Sequence, residues 1–193
     1  MDGQTQSLPV TIAQPGGGQF GSVPSNVLQF TASGATHTLV TYSGSSGTSG
    51  FGAFGQIGIE TPIAELPTGD VTYSGAWGGQ ADSASNNFAD SGVLSGNMSI
   101  TANFGSGAVS GTFDGSVNAG DIGDFAGTIN GATSGNGVAA SMDITSGDFT
   151  GSMPIAAKTY GFDASVLAGA FAGSIRSVDS GRNYATTGQF SLD

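Results

Sequence analysis

Cysteine is absent from the chain, which excludes disulfides, thiolate metal sites and cysteine nucleophiles together. Charge is almost as scarce. Only 9% of the 193 residues are Asp, Glu, Lys or Arg, against about 25% in ordinary soluble domains. The basic residues are Lys158, Arg176 and Arg182, and His37 is the one histidine. So small a set of long charged side chains can scarcely coat one helix, and the composition points to an all-β chain. With a net charge of −11 there is no basic patch to neutralise phosphates, so nucleic acid is not an expected partner and an anionic membrane surface is disfavoured. No run approaches the roughly 20 apolar residues of a spanning helix. Met1-Asp2-Gly3 lacks the basic start and apolar stretch of an export leader, so an exported form would be one whose leader has been removed.

What the chain has in abundance is glycine, 35 residues in all. Residues 1–30, with Pro9, Pro15, Gly16, Gly17, Gly18 and Pro24, read as a flexible tether. Residues 31–66 carry two strand signals, 36–42 and 54–59, around a Ser/Gly/Thr stretch at 43–50 that reads as a flexible loop. Pro62 and Pro67 then mark a boundary.

From residue 70 a unit recurs: an aromatic residue, a glycine two positions on, an apolar residue four positions on. It occurs at Tyr73-Gly75-Trp77, Phe113-Gly115-Val117, Phe125-Gly127-Ile129, Phe149-Gly151-Met153 and Phe171-Gly173-Ile175. In a strand these three positions share one face. The glycine lets the strand coil and leaves a gap for a neighbouring ring, a device of tightly curved barrels. Turn signals divide the region into eight strands, at 70–77, 91–103, 107–117, 124–130, 136–144, 147–155, 166–176 and 183–191. The connections are short, so the neighbours are antiparallel, and eight strands can close with side chains filling the lumen. Residues 164–171 also carry a helical signal, but Gly161, Gly169 and Gly173 favour a strand. The core is expected to hold Trp77, Phe113, Phe125, Phe149 and Phe171, with Met98, Met142 and Met153 as filler.

Chemistry-bearing constellations are few. With one histidine, a histidine-rich metal site is impossible, and a Ser-His-Asp triad would have to use His37 in the N-terminal segment. Asp121 and Asp124 have the spacing of a carboxylate pair, yet Asp is equally at home in a turn before a strand. Haem is the small ligand worth weighing, because its iron takes an axial His, Tyr or Met. His37 beside the Ser/Gly stretch is the weak candidate ligand; as a bland alternative it is an exposed strand histidine. His37 and Tyr42 are separated by an odd number on one expected strand, so they would not both be ligands.

From residue 70 on, the chain resembles the β-barrel domain of transferrin-binding protein B and its relatives among surface lipoproteins, including factor H-binding protein and the haem-binding hemophilins. The resemblance rests on Val71-Thr72-Tyr73-Ser74-Gly75-Ala76-Trp77, on Phe88-Ala89-Asp90 with Leu94-Ser95-Gly96, and above all on the stretch from Tyr160-Gly161 to Gly169-Ala170-Phe171-Ala172-Gly173. Phe162-Asp163 stand where the family commonly has proline, Val166-Leu167 where it has an acidic residue, and Ala168 where it has a first glycine. The resemblance implies an antiparallel eight-stranded up-and-down barrel at 67–193, preceded by a small handle-like β-subdomain at 31–66. It further implies a non-catalytic binding protein, at the cell surface (outer leaflet of the outer membrane) or secreted. Its partner would be a host protein or a small iron-bearing ligand, and no cofactor is expected beyond the haem just weighed. Two other readings remain open. An adhesive β-repeat protein predicts a strict repeat length, whereas the aromatic units start at 73, 113, 125, 149 and 171. An eight-stranded outer-membrane barrel predicts an outward apolar band, whereas the positions facing away from the rings include Asp114, Ser116, Thr128, Thr150, Ser152 and Ser174.

Overall fold

Strand alternation governs the chain from residue 70, and in the computed structural model it produces a closed antiparallel barrel. The structure describes residues 27–32, 37–46, 49–83 and 90–193, with side chains from Gly58 onward. It divides into two compact units between Gly58 and Ile59. The first unit is a three-stranded antiparallel sheet of β1 (Val27–Ala32), β2 (His37–Ser46) and β3 (Ser49–Gly58), in the order β1-β2-β3.

Three local expectations are corrected here. Residues 43–50 were read as a flexible loop, but β2 runs to Ser46 and β3 starts at Ser49, with Ser43 opposite Gly52 and Ser45 opposite Gly50. Cross-strand pairing overrides the local preference of Ser and Gly for coil. The last residues of the expected tether form β1, paired with β2 from Val27↔Ser43 to Ala32↔Thr38; residues 1–26 lie outside the described residues. Residues 59–66, expected with the handle, group with the barrel, where they make an extended strap with a single 3-10 turn at Ile63–Glu65.

The barrel consists of β4 (Asp70–Ser83), β5 (Gly92–Asn103), β6 (Ala108–Asn118), β7 (Ile122–Ser134), β8 (Gly137–Gly147), β9 (Phe149–Tyr160), β10 (Val166–Ser177) and β11 (Asn183–Leu192). Each strand pairs with its sequence neighbours, and β11 closes on β4, so the eight-stranded up-and-down barrel expected from sequence is what forms. Residues 164–171 are not helical; β10 begins at Val166. The expected 70–77 strand continues through Gly78-Gly79 to Ser83. These glycines look like a break, but a Cβ at Gly79 would collide with the Thr187 carbonyl and Phe171. A bulge at Ala126/Gly127 shifts the β7–β8 register and bends the wall.

The lumen is packed solid. Trp77 lies among Phe113, Phe125 and Phe171 at ring-centroid distances of 6.4, 6.0 and 5.4 Å. The ring chain continues from Phe125 to Phe149 and on to Tyr184. Met98, Met142 and Met153 fill the gaps, each at most 3% exposed. Five of the large rings face a glycine across the ladder: Trp77↔Gly96, Phe113↔Gly127, Phe125↔Gly115, Phe171↔Gly188 and Phe190↔Gly169. A Cβ at Gly127 would stand 2.7 Å from Phe113, and one at Gly169 would stand 2.7 Å from Phe190. The rings therefore lie on bare backbone, which is how so narrow a barrel holds so many of them. Gly151 departs from the pattern: it is exposed with φ +141°, although Phe149 and Met153 on either side are buried.

The outer face is small and polar. Asp114, Thr128, Thr150, Ser152 and Ser174 are exposed. Threonine and serine ladders such as Thr72–Thr101 at 2.9 Å and Ser74–Ser99 at 3.0 Å cover it. Those positions suit water rather than the apolar belt of a lipid-embedded barrel. A closed barrel is also not the extended stack of an adhesive repeat.

Candidate functional site

The structure distributes the sequence candidates rather than gathering them. His37 is the first residue of β2, opposite Gly58, and its side chain lies outside the described residues. Asp121 and Asp124 stand on either side of the start of β7, and they do different work. Asp121 is held in a network at the barrel mouth where β4 ends. Its Oδ2 accepts from the Ser180 hydroxyl at 2.7 Å and the Tyr184 hydroxyl at 2.9 Å, and its backbone N–H donates to the same tyrosine oxygen at 2.8 Å. Arg182 lies 3.6 Å from both Asp121 and Asp90 and donates to the Tyr184 hydroxyl at 3.3 Å. The Ser180 hydrogen bond, followed by that of Tyr184 and the Arg182 charge, holds the Asp121 carboxyl below its ordinary range. These bonds turn the Asp121 carboxylate to Ser180, Tyr184 and Arg182, while the Asp124 N–H bonds to Asp148.

A carboxyl whose pKa is lowered by folding stabilises the fold above the unfolded value of about 3.9, and that contribution is lost as pH falls through the folded value. Asp121→Asn should therefore melt earlier than the parent at neutral pH. The gap between the two melting temperatures should shrink as pH falls below about 4, read by circular dichroism across a pH series.

The opposite mouth is closed by the strap. Glu60 bridges to Tyr160, the Thr61 hydroxyl donates to the Gly161 carbonyl at 2.7 Å, and the Thr61 N–H donates to the Thr159 carbonyl. Lys158 pairs with Glu60 at 2.6 Å, and the Asn136 amide donates to Glu60 and to the Thr61 carbonyl. Beneath the strap, the Tyr73 hydroxyl donates at 2.8 Å to the carbonyl of Ala164. Ala164 is fully buried with φ +53°, a left-handed conformation that an alanine adopts only when its surroundings hold it there. Burial, then the nearby Asp163 charge, pushes the Tyr73 phenol up to about 12, so it remains a donor throughout the physiological range. Removing that donor in Tyr73→Phe leaves a buried carbonyl without it. A cost of about 1–3 kcal/mol is expected, measured by urea denaturation with an unchanged m-value.

With the lumen filled and both mouths tied, a concave feature among the described residues lies on the outer wall. A shallow groove of about 690 Å³ crosses β5 to β8 on the half nearer the Asp121 mouth. Its walls carry Ser95, Asn97, Asp114, Ser116, Asp124, Ser146 and Asp148, and none of its lining residues is basic. Gly96, Gly115 and Gly147 form its floor, above the buried Trp77, whose indole N–H donates to the Asn97 and Asp114 carbonyls at 3.2 and 2.9 Å. Asp148 accepts from the Asp124 N–H at 2.9 Å and Asp114 from the Asn97 N–H at 3.3 Å, which fixes two of the three carboxylates. Among the described residues no group of three or more His, Cys, Asp and Glu is placed to hold a metal. Sequence reading missed this groove because its residues come from four strands and carry no local motif. It also missed the Asp121–Arg182–Tyr184 network; the signal available there was the pairing of scarce arginine with aspartate across two turns.

Comparison with known proteins bears on the same region. The family model described as the C-lobe and N-lobe β-barrels of Tf-binding protein B matches residues 66–191. The fold is similar to solved structures of transferrin-binding protein B, a vaccine antigen, from Haemophilus parasuis Hp5. A tryptophan-to-alanine mutant aligns with a TM-score of 0.55 at 16% identity, over 97% of this chain and 41% of that one. A double mutant with a tyrosine also changed to alanine aligns with a TM-score of 0.55 at 16% identity, over 98% and 36%. The chain thus spans about two fifths of the length of those structures. No curated protein matches it. The aromatic-on-glycine barrel that the residues build and the match across nearly all of it lead to one assignment: the chain belongs to the family of transferrin-binding protein B β-barrels.

Proposed function

We propose that the chain is a non-catalytic binding protein of the cell surface, or a secreted one, that engages a protein partner through the outside of its barrel. The observation that carries this reading is the solid lumen. Rings from Trp77 to Tyr184 occupy the space that a small-molecule carrier would keep open, so a ligand has to be met on the wall or at the turns. The outer groove supplies Asp114, Asp124 and Asp148 and no compensating cation, which favours a partner presenting lysine or arginine. Membership of the family makes transferrin the first partner to try, since that is what its relatives are named for binding. Haem on His37 is the competing reading.

Immobilised chain is exposed to iron-loaded and iron-free transferrins and to serum proteins, and binding is followed by biolayer interferometry. Saturable protein binding is expected, with an on-rate that falls as salt rises. Reversing two groove charges in Asp114→Lys/Asp124→Lys should slow association roughly tenfold at low salt and leave the barrel's thermal transition in place. A haemin titration of the parent and of His37→Ala runs in parallel. A Soret shift lost in His37→Ala, with no protein captured, would replace this reading with the haem one.

A further inference from the structure

We propose that the chain self-associates through the edge of β3 that no other described strand pairs with, two copies pairing antiparallel so that their three-stranded sheets join into one of six strands. The barrel is closed and has no edge to offer. Among the described residues the sheet edges that remain are those of β1 and β3, and β3 is the longer, with ten residues against six. The Ser46↔Ser49 pair closes the β2–β3 hairpin across two residues, which makes it a hydrogen-bonded pair. Alternation from there turns the N–H and C=O groups of Gly50, Gly52, Phe54, Gln56 and Gly58 to the outer side of β3.

Edges that stay single in water carry lysine, proline or a bulge. Ser49–Gly58 has neither charge nor proline, and its register with β2 runs without a shift. The distribution of charge selects the occupant. Residues 27–58 contain no Asp, Glu, Lys or Arg, while 59–193 hold thirteen acidic against three basic residues. The barrel unit carries a net negative charge, so two barrels repel each other, whereas β3 brings no charge of its own to a contact. An antiparallel edge is complementary to itself about a two-fold axis, so the contact closes at a dimer. It also gives a three-stranded sheet, which is near the lower limit of independent stability, three further strands.

The test is sedimentation velocity on the whole chain from about 1 to 100 µM, where a monomer–dimer equilibrium is expected. Gln56→Pro removes one outward N–H at an edge position that tolerates proline; it should raise the dimer dissociation constant roughly tenfold or more, while Gln56→Ala leaves it unchanged. Gln56→Lys guards against the possibility of a merely unfolded sheet. It should dissociate the dimer at low salt and let it re-form at high salt, which an unfolded sheet would not do. A parent that sediments as monomer over the whole range overturns the proposal. So does a dimer indifferent to Gln56→Pro, or a Gln56→Lys chain that salt does not restore.

Discussion

Trp77→Ala is expected to lower the barrel's melting temperature by roughly 10–20 °C. The indole touches three phenylalanine rings and is 3% exposed. Emptying such a site costs about 3–5 kcal/mol through lost transfer energy and the cavity left behind. That is a large share of the roughly 5–15 kcal/mol by which a domain of this size is stable, and each kcal/mol moves the midpoint by a few degrees. A second loss adds to it. The indole N–H serves the carbonyls of Asn97 and Asp114 together, on adjacent strands β5 and β6, so its removal frees two acceptors at the floor of the groove. Trp77→Phe separates the contributions: it keeps most of the ring packing, loses the donor, and should cost less than half as much. The measurement is thermal unfolding by far-ultraviolet circular dichroism, since Trp77 is the chain's only tryptophan and fluorescence would vanish with it. A drop of less than about 3 °C would mean that the ring cluster is not the keystone described above. Phe171→Ala, one contact away, should fall in the same range of about 3–5 kcal/mol.

Five of the eight barrel strands were legible because one signal, a ring and an apolar residue four apart with glycine between them, reports inward facing directly, and turn signals separated the others. Tyr73-Trp77, Phe113-Val117, Phe125-Ile129 and Phe171-Ile175 are all buried as that spacing requires. What misled was glycine read as punctuation. Gly78-Gly79 look like the end of the first strand, yet β4 runs through them to Ser83, because Gly79 answers to a close approach from the neighbouring strand. Only the register shows that approach, and register is a property of two strands at once. The same limit hid the candidate surface. The outer groove takes Asp114, Asp124 and Asp148 from separate elements, and the mouth network joins Asp121 to Ser180, Arg182 and Tyr184 about sixty residues away. The Asp121–Asp124 pair, by contrast, was visible as a spacing, and the structure engages its two members in different contacts. In the N-terminal unit the error ran the other way. Ser, Thr and Gly at 43–50 suggest coil to any local rule, and pairing in a hairpin decides otherwise.

Gly115→Ala, a change of a single methyl group, is the other large effect expected, and it tests the fold from the opposite side. A Cβ at Gly115 would overlap Trp77 and stand 2.9 Å from the tip of Phe125, and neither ring is a flexible end free to give way. Overfilling a packed core in this way costs about 3 kcal/mol, at the upper end of the usual range. Position rather than chemistry sets that cost, because Gly69→Ala, where nothing lies within 4 Å, should change the midpoint by less than about 1 °C. If the clash with the indole is the cause, shrinking the indole relieves it. The double variant Gly115→Ala/Trp77→Phe should then be destabilised by at least about 1 kcal/mol less than the sum of the two single changes. Strict additivity in the cycle would place the cost of the methyl group elsewhere, in strand curvature at the Gly96–Gly115 pair. The ring-on-glycine contact would then be a consequence of the barrel's shape rather than what permits it.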